Sequence, residues 1–97
     1  MKKQFGVIGL GRFGSSVAIT LENLGNSVLA IDRDSEKVDA IKDFVTAAKQ
    51  VNAIDAAALR EAGIANCDAV VIAIGEDIES SVLATLVVKE IGVPRII

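Results

Sequence analysis

Five short apolar runs alternate without a break with four segments of helical periodicity, and this alternation confines the chain to one class of fold. The runs are QFGVIG (4–9), SVLAID (27–32), VTAAKQV (45–51), DAVVIAIG (68–75) and VPRII (93–97). Between them lie RFGSSVAITLENLG (12–25), SEKVDAIKDF (35–44), DAAALREAG (55–63) and DIESSVLATLVVKEIG (77–92). Val17, Leu21 and Leu24 recur at helical spacing in the first helix, and Val38 and Ile41 share one face of the second. Ser35 and Asp55 stand where caps belong, and Gly25 and Gly63 where helices end. The run at 68–75 is apolar throughout, as a strand covered on both faces must be. Strict β-α alternation predicts an α/β fold: an open, doubly wound parallel sheet with helices on both faces and right-handed crossovers. The expected strand order is 3-2-1-4-5, with the fifth strand cut short at the end of the sequence.

Composition sets the outer limits. With 97 residues the chain is one domain, and 52% hydrophobic residues suffice for a core. Mean hydropathy is +0.51, so apolar surface is expected to remain for a partner. The net charge of −3 and the lack of a long basic run argue against nucleic acid or anionic lipid. Apolar runs of about seven to ten residues are too short to span a bilayer. The two lysines at the start are followed by glycines and Arg12 rather than by a leader's apolar core. One cysteine, Cys67, permits no internal disulfide and fits a reducing compartment; the expected location is cytoplasmic. The chain has no histidine, which removes the usual acid/base group and the commonest metal ligand.

The stretch FGVIGLGRFGSSV places Gly9, Gly11 and Gly14 in the spacing G-x-G-x-x-G, directly after a strand and at the opening of a helix. In that context the pattern reads as a nucleotide loop. Gly9 allows the tight turn, Gly11 lets a pyrophosphate approach the backbone, and Gly14 lets the helix lie close to the strand. The free amides at the helix start suit a phosphate. The plain alternative is a ligand-free turn. Asp32 ends the second strand 18 residues after Gly14, where a carboxylate accepts hydrogen bonds from a ribose. It would repel a 2′-phosphate and so disfavours NADP, although the neighbouring Arg33 weakens that exclusion. Arg12, inside the loop, points to the charge of ADP or ATP, or to the pyrophosphate of NAD; otherwise it is a surface arginine. Asn52 and Ala53 follow the third strand, and Ile74, Gly75 and Glu76 the fourth. Ligands bind outside the carboxyl ends of such strands. Asn52 can read an adenine edge and Gly75 can pass close to phosphates, or both are ordinary turn residues.

No reaction is legible beside this loop. Lys42, Lys49 and Lys89 are scattered, Cys67 reads as a small buried residue, and Asp77 and Glu79 suit a helix dipole. No catalytic residue and no metal ligand set is expected, and metal binding stays open. In the last helix Ile78, Val82, Leu83, Leu86, Val87, Val88 and Ile91 cover more than one face. The surplus points to a protein interface such as a two-fold dimer; the alternative is a helix wholly buried in the domain.

The segments FGVIGLGRFGSSVA, VLAIDRDSEKV and VVIAIGEDIESSVLATLVVKEIGVPRII closely resemble the N-terminal lobe of RCK domains (regulators of potassium conductance), in particular the regulatory subunits of Trk/Ktr-type potassium uptake systems. The resemblance covers essentially the whole chain and implies a Rossmann lobe, residues 1–97, from a longer protein. It implies binding of NAD/NADH or ADP/ATP, assembly into homodimers and larger rings, and a peripheral position under a membrane potassium channel or transporter subunit gated by nucleotide exchange. Carried over by position, Arg12 and Phe13 belong to the phosphate loop and Asp32 faces the ribose. Arg33, Asp34, Asn52 and Ala53 line the ribose and adenine side, and Ile74, Gly75 and Glu76 close the phosphate side. Family members continue past strand five, so ring assembly and gating need more chain than this. A competing reading is the cofactor half of an NAD-dependent dehydrogenase; a third is an empty Rossmann scaffold used for oligomerisation.

Overall fold

The computed structural model describes residues 2–75 and 77–97. Its elements follow in the order β1 (Gln4–Ile8), α1 (Arg12–Asn23), β2 (Ser27–Asp32), α2 (Ser35–Ile41), β3 (Ala47–Gln50), α3 (Ala56–Ala62), β4 (Ala69–Ile72), α4 (Ile78–Ile91) and β5 (Arg95–Ile96). All strand pairs are parallel and the sheet order is β3-β2-β1-β4-β5, the Rossmann-like arrangement expected. Strand order therefore reverses between β1 and β4, and the crevice of such a sheet opens there.

The period of two along each strand divides the core in two. Val7, Val28, Ala30 and Val71 face one way and pack with Ala18 of α1 and Val38 and Ile41 of α2. Ile8, Ile31 and Val70 face the other way and pack with Leu59 of α3, Val88 of α4, Ile64 and Cys67. Gly6 belongs to this second face, since a Cβ there would press on Ile64, Val70 and Cys67 at 3.0–3.3 Å. Ile8, Ile31, Leu59 and Ile64 are essentially inaccessible. Each contributes roughly 1.5–3 kcal/mol by burial, large beside the 5–15 kcal/mol that holds a whole domain. Both faces must therefore be covered for the sheet to exist, which is why the inner strands β1, β2 and β4 read as nearly continuous apolar runs.

Several local expectations are corrected. Leu24 is 73% exposed: α1 buries Gly14 and Ala18 instead, with Val17 and Leu21 beside them, because close approach to β1 favours small residues on its inner line. The cap of α2 is Asp34, not Ser35; the extended backbone of Asp34 lets its carboxylate accept from the Glu36 amide at 2.9 Å. β3 is shorter than the run 45–51, and β4 stops at Ile72 rather than Gly75. A single 3-10 turn, Ile64–Asn66, joins Gly63 to β4 and was not foreseen. The last helix is not wholly buried. Ala84 and Val88 face the core, whereas Ile78, Val82, Leu83 and Leu86 are exposed at 83, 52, 41 and 56%.

At the amino ends of the strands, Glu22 of α1 acts as a clamp. Its Oε1 accepts from the Val28 amide at 3.1 Å, the Thr46 amide at 2.8 Å and the Thr46 hydroxyl at 2.9 Å. One carboxylate thus ties α1 to the start of β2 and to the approach of β3.

Candidate nucleotide cleft

The glycine loop is built around two close approaches. Gly9 has φ +102°, and a Cβ there would stand 2.6 Å from the carbonyl oxygen of Ala73. A Cβ on Gly14 would overlap the carbonyl oxygen of Gly9 and sit 3.2 Å from the Ala73 side chain. These two glycines are therefore demanded by packing, independently of any ligand. Gly11 differs: its backbone is extended at φ −72°, ψ −164°, and a Cβ would meet nothing within 4 Å. The space above Gly11 belongs to the cleft.

Backbone hydrogen bonds lock the ends of three strands to this loop. The Gly9 amide donates to Ile31 O at 2.8 Å and the Ala73 amide to Ile8 O at 2.8 Å. Asp32 completes the frame. Its Oδ2 accepts from the Leu10 amide at 2.8 Å and its Oδ1 from the Asp34 amide at 2.9 Å. A carboxylate offers about four acceptor positions, so two remain open. The Val51 amide donates to Asp32 O at 3.1 Å, which brings the end of β3 alongside.

The helix starts are not alike. α2, α3 and α4 are capped by the side chains of Asp34, Asp55 and Asp77. α1 begins at Gly11 with no side-chain cap and no acidic residue in its first turn. Its first amides lack an internal acceptor and point, with the positive end of the helix dipole, at the open space over Gly11. That is the chemistry of a phosphate site.

These features meet in one cleft of about 510 Å³ at the carboxyl ends of the strands. Of the expected residues it brings together Gly9, Gly11, Arg12, Phe13, Asp32, Arg33, Asn52, Ala53, Ile74 and Gly75. Gly14 lies beneath the floor, and Asp34 is engaged at the α2 cap outside the lining. Glu76 lies outside the described residues. Asn52 Oδ1 accepts from the Ile54 amide at 3.1 Å, which leaves its side-chain nitrogen as the group with donor capacity.

Sequence reasoning passed over Lys37, half-buried on α2, and the part played by α4, which contributes Asp77, Glu79, Ser80 and Leu83. Asp77 accepts from the Ser80 hydroxyl at 2.8 Å and the Glu79 amide at 3.0 Å. The Ser80 hydrogen bond foremost, then backbone amides and the positive charge of Arg33, hold this carboxyl below its ordinary value. Burial, and secondarily the charge of Asp68, pushes the Cys67 thiol up to about 11, as befits a residue of the second core rather than a nucleophile. Among the described residues no cluster suited to a metal ion is found, and no helix is long and apolar enough to cross a membrane.

Comparison with known proteins places this geometry. The TrkA-N domain family matches residues 5–97. The chain is similar to Ktr system potassium uptake protein A of Bacillus subtilis (strain 168), with 46% identity over 94 residues, covering 97% of this chain and 42% of that protein. Ktr system potassium uptake protein C of the same organism is 44% identical over 96 residues, covering 99% and 43%. The chain thus spans about two fifths of the length of these curated relatives. Among solved structures, the NAD(P)-binding domain of an exopolyphosphatase-related protein from Archaeoglobus fulgidus superposes with a TM-score of 0.81 at 24% identity, over 93% of this chain and 67% of that one. UDP-glucose-4-epimerase from Stenotrophomonas maltophila shares the fold at a TM-score of 0.66 and 22% identity, over 94% and 34%. With a family match over nearly its full length and Ktr relatives above 40% identity, the chain belongs to the TrkA-N family, the N-terminal domain of RCK-type regulators.

Proposed function

We propose that this domain is the ligand-sensing lobe of a longer regulator of potassium uptake, and that it binds NAD(H) or ADP/ATP in the cleft over Gly11. The observation that carries the reading is the uncapped start of α1 beneath open space at Gly11, in a chain whose other three helices are each capped by aspartate. Asp32 supplies the ribose acceptor, and Arg12, exposed at the phosphate end, answers additional phosphate charge. The names of the Ktr relatives support the transport role. The lobe acts by binding rather than by catalysis. Its cleft carries Arg12, Asp32, Arg33, Lys37, Asp77 and Glu79, charged groups suited to holding an anion, and the chain has no histidine. In this reading the protein is cytoplasmic, forms a homodimer or larger ring through the exposed apolar row of α4, and sits beneath a membrane potassium transport subunit.

Calorimetric titration with NADH, NAD, ADP and ATP, repeated on Arg12→Ala and Asp32→Ala, tests this. Tightest binding of ADP or ATP, with the preference abolished by Arg12→Ala, supports a sensor that counts phosphate charge. A preference for NAD or NADH that Arg12→Ala leaves intact makes the site a plain dinucleotide site and removes the role given to Arg12. Binding of none of the four would refute the nucleotide reading.

A further inference from the structure

The charges that line the cleft are divided between the two faces of the sheet. α1 and α2 pack on one face and α4 on the other. The first side brings the cations: Arg12 at the start of α1, Arg33 between β2 and α2, and Lys37 on α2. The α4 side brings Asp77 and Glu79. Asp32 stands at the end of β2, with both oxygens engaged by the amides of Leu10 and Asp34. Among the described lining residues three carboxylates therefore meet three cations, and Asp34 and Glu36 stand close by in the chain. A site that only collected anions would carry a surplus of positive charge. This one has none, and its carboxylates on α4 face the space a phosphate would enter.

Asp77 is the pivotal group on the acidic side. Of the three aspartates that cap helices, Asp34, Asp55 and Asp77, it is the one that lines the cleft. A cap requires an oxygen rather than a charge, and serine or asparagine serves as well. The side chain is held in place: Oδ1 accepts from the Glu79 amide at 3.0 Å and Oδ2 from the Ser80 hydroxyl at 2.8 Å. The Ser80 bond foremost, and last the charge of Arg33, hold the carboxyl below its ordinary value, so Asp77 is ionised at neutral pH and lies within the field of Arg33. The two are not in contact; among the described residues the ion pair present joins Lys42 to Asp39. An anion entering the cleft is thus attracted from the side of Arg12 and Arg33 and repelled from the side of Asp77. Each further phosphate charge strengthens both effects. Asp77 is exposed, so its share is open to screening by salt.

We propose that Asp77 is a specificity-determining residue of this cleft: its charge holds down the affinity for the more highly phosphorylated nucleotide, so that the preference between ATP and ADP is set by Arg12 and Asp77 in opposition. This rests on the nucleotide reading above and names a residue that tunes it. The cap keeps the charge at a fixed place on α4, so the repulsion acts between the ligand and that helix.

The test is calorimetric titration of the full protein with ADP and with ATP, free of divalent metal, at low and at high salt. It is repeated on Asp77→Asn and Asp77→Ser, which each keep an oxygen for the cap while removing the charge. Asp43→Asn removes the same charge between α2 and β3, outside the cleft lining, and serves as the control. At low salt both Asp77 variants should bind ATP at least about threefold more tightly and raise the ratio of ATP to ADP affinity at least about twofold. At high salt the gain should fall by at least about half. A smaller gain for ATP, a gain equal for ADP and ATP, a gain that salt leaves whole, or one that Asp43→Asn reproduces refutes the role of Asp77, while the nucleotide reading stands on the binding of the parent. If the parent binds neither nucleotide, both readings fall.

Discussion

Gly11 and Gly14 belong to one motif but answer to different forces, and a pair of alanine substitutions separates them. In Gly14→Ala the new methyl group coincides with the Gly9 carbonyl oxygen and presses on the Ala73 side chain at 3.2 Å. Neither neighbour can rotate away: Gly9 is backbone, pinned through its amide to Ile31 O at 2.8 Å. α1 must therefore lift from β1, and overpacking of this kind costs about 1–3 kcal/mol. For a domain of this size each kcal/mol moves the thermal midpoint by about 4–8 °C, so the expected fall is roughly 5–20 °C. In Gly11→Ala the methyl group enters open space on an extended backbone, and the fold should change by less than about 1 kcal/mol. On the proposed reading that same space holds the pyrophosphate, so nucleotide affinity should fall at least about tenfold with stability intact. Thermal and urea unfolding, read beside calorimetry, give both quantities. The reasoning is refuted by a Gly14→Ala protein that unfolds within about 0.5 kcal/mol of the parent, or by a Gly11→Ala protein that is destabilised as much as Gly14→Ala.

Three further outcomes are expected. Glu22→Ala leaves the Val28 and Thr46 amides without their acceptor and should cost about 1–3 kcal/mol in urea unfolding, with Glu22→Gln recovering part of it through its remaining oxygen. Cys67, whose folded value is raised from an ordinary 9.0 to about 11, stays protonated where the unfolded chain ionises. Stability tied to it is whole below pH 9 and declines by roughly 1–3 kcal/mol as pH rises toward 11, a slope that Cys67→Ala should remove; native Cys67 should also resist alkylation at pH 8 until the protein is unfolded. Asp77 is depressed chiefly by the Ser80 hydroxyl, so Ser80→Ala should raise its titration midpoint in carboxyl NMR; its contribution is present above the ordinary value of 3.8 and lost as pH falls below it.

The architecture was legible because the inner strands β1, β2 and β4 are covered on both sides and read as nearly continuous apolar runs, while Gly25 and Gly63 mark the turns between helix and strand with positive φ. The three glycines and Asp32 were legible because one short span of chain carries most of the phosphate loop. What escaped depends on contacts between distant segments. Lys37 carries no local sign that it borders the cleft; its place follows from how α2 packs through Val38 and Ile41. Asp34 and Ser35 are equally good caps by residue type, and only the backbone at Asp34, φ −89° and ψ 113°, decides between them. Leu24 fits the helical spacing and is nonetheless exposed, because the inner line of α1 runs through Gly14 and Ala18. The hydrogen bond from the Leu10 amide to Asp32 Oδ2 joins positions 22 residues apart, beyond any local pattern.

The missing side chain at Gly9 has a mechanical consequence. With the Gly9 backbone set hard against the Ala73 carbonyl, and with Gly9 bonded to Ile31 and Ala73 to Ile8, the ends of β1, β2 and β4 have no slack between them. A load placed on the loop at Gly11 therefore meets the end of β4 at Ala73 directly, instead of being absorbed by a compliant turn. Such a joint has a short throw and little backlash, so the three strand ends move as one piece.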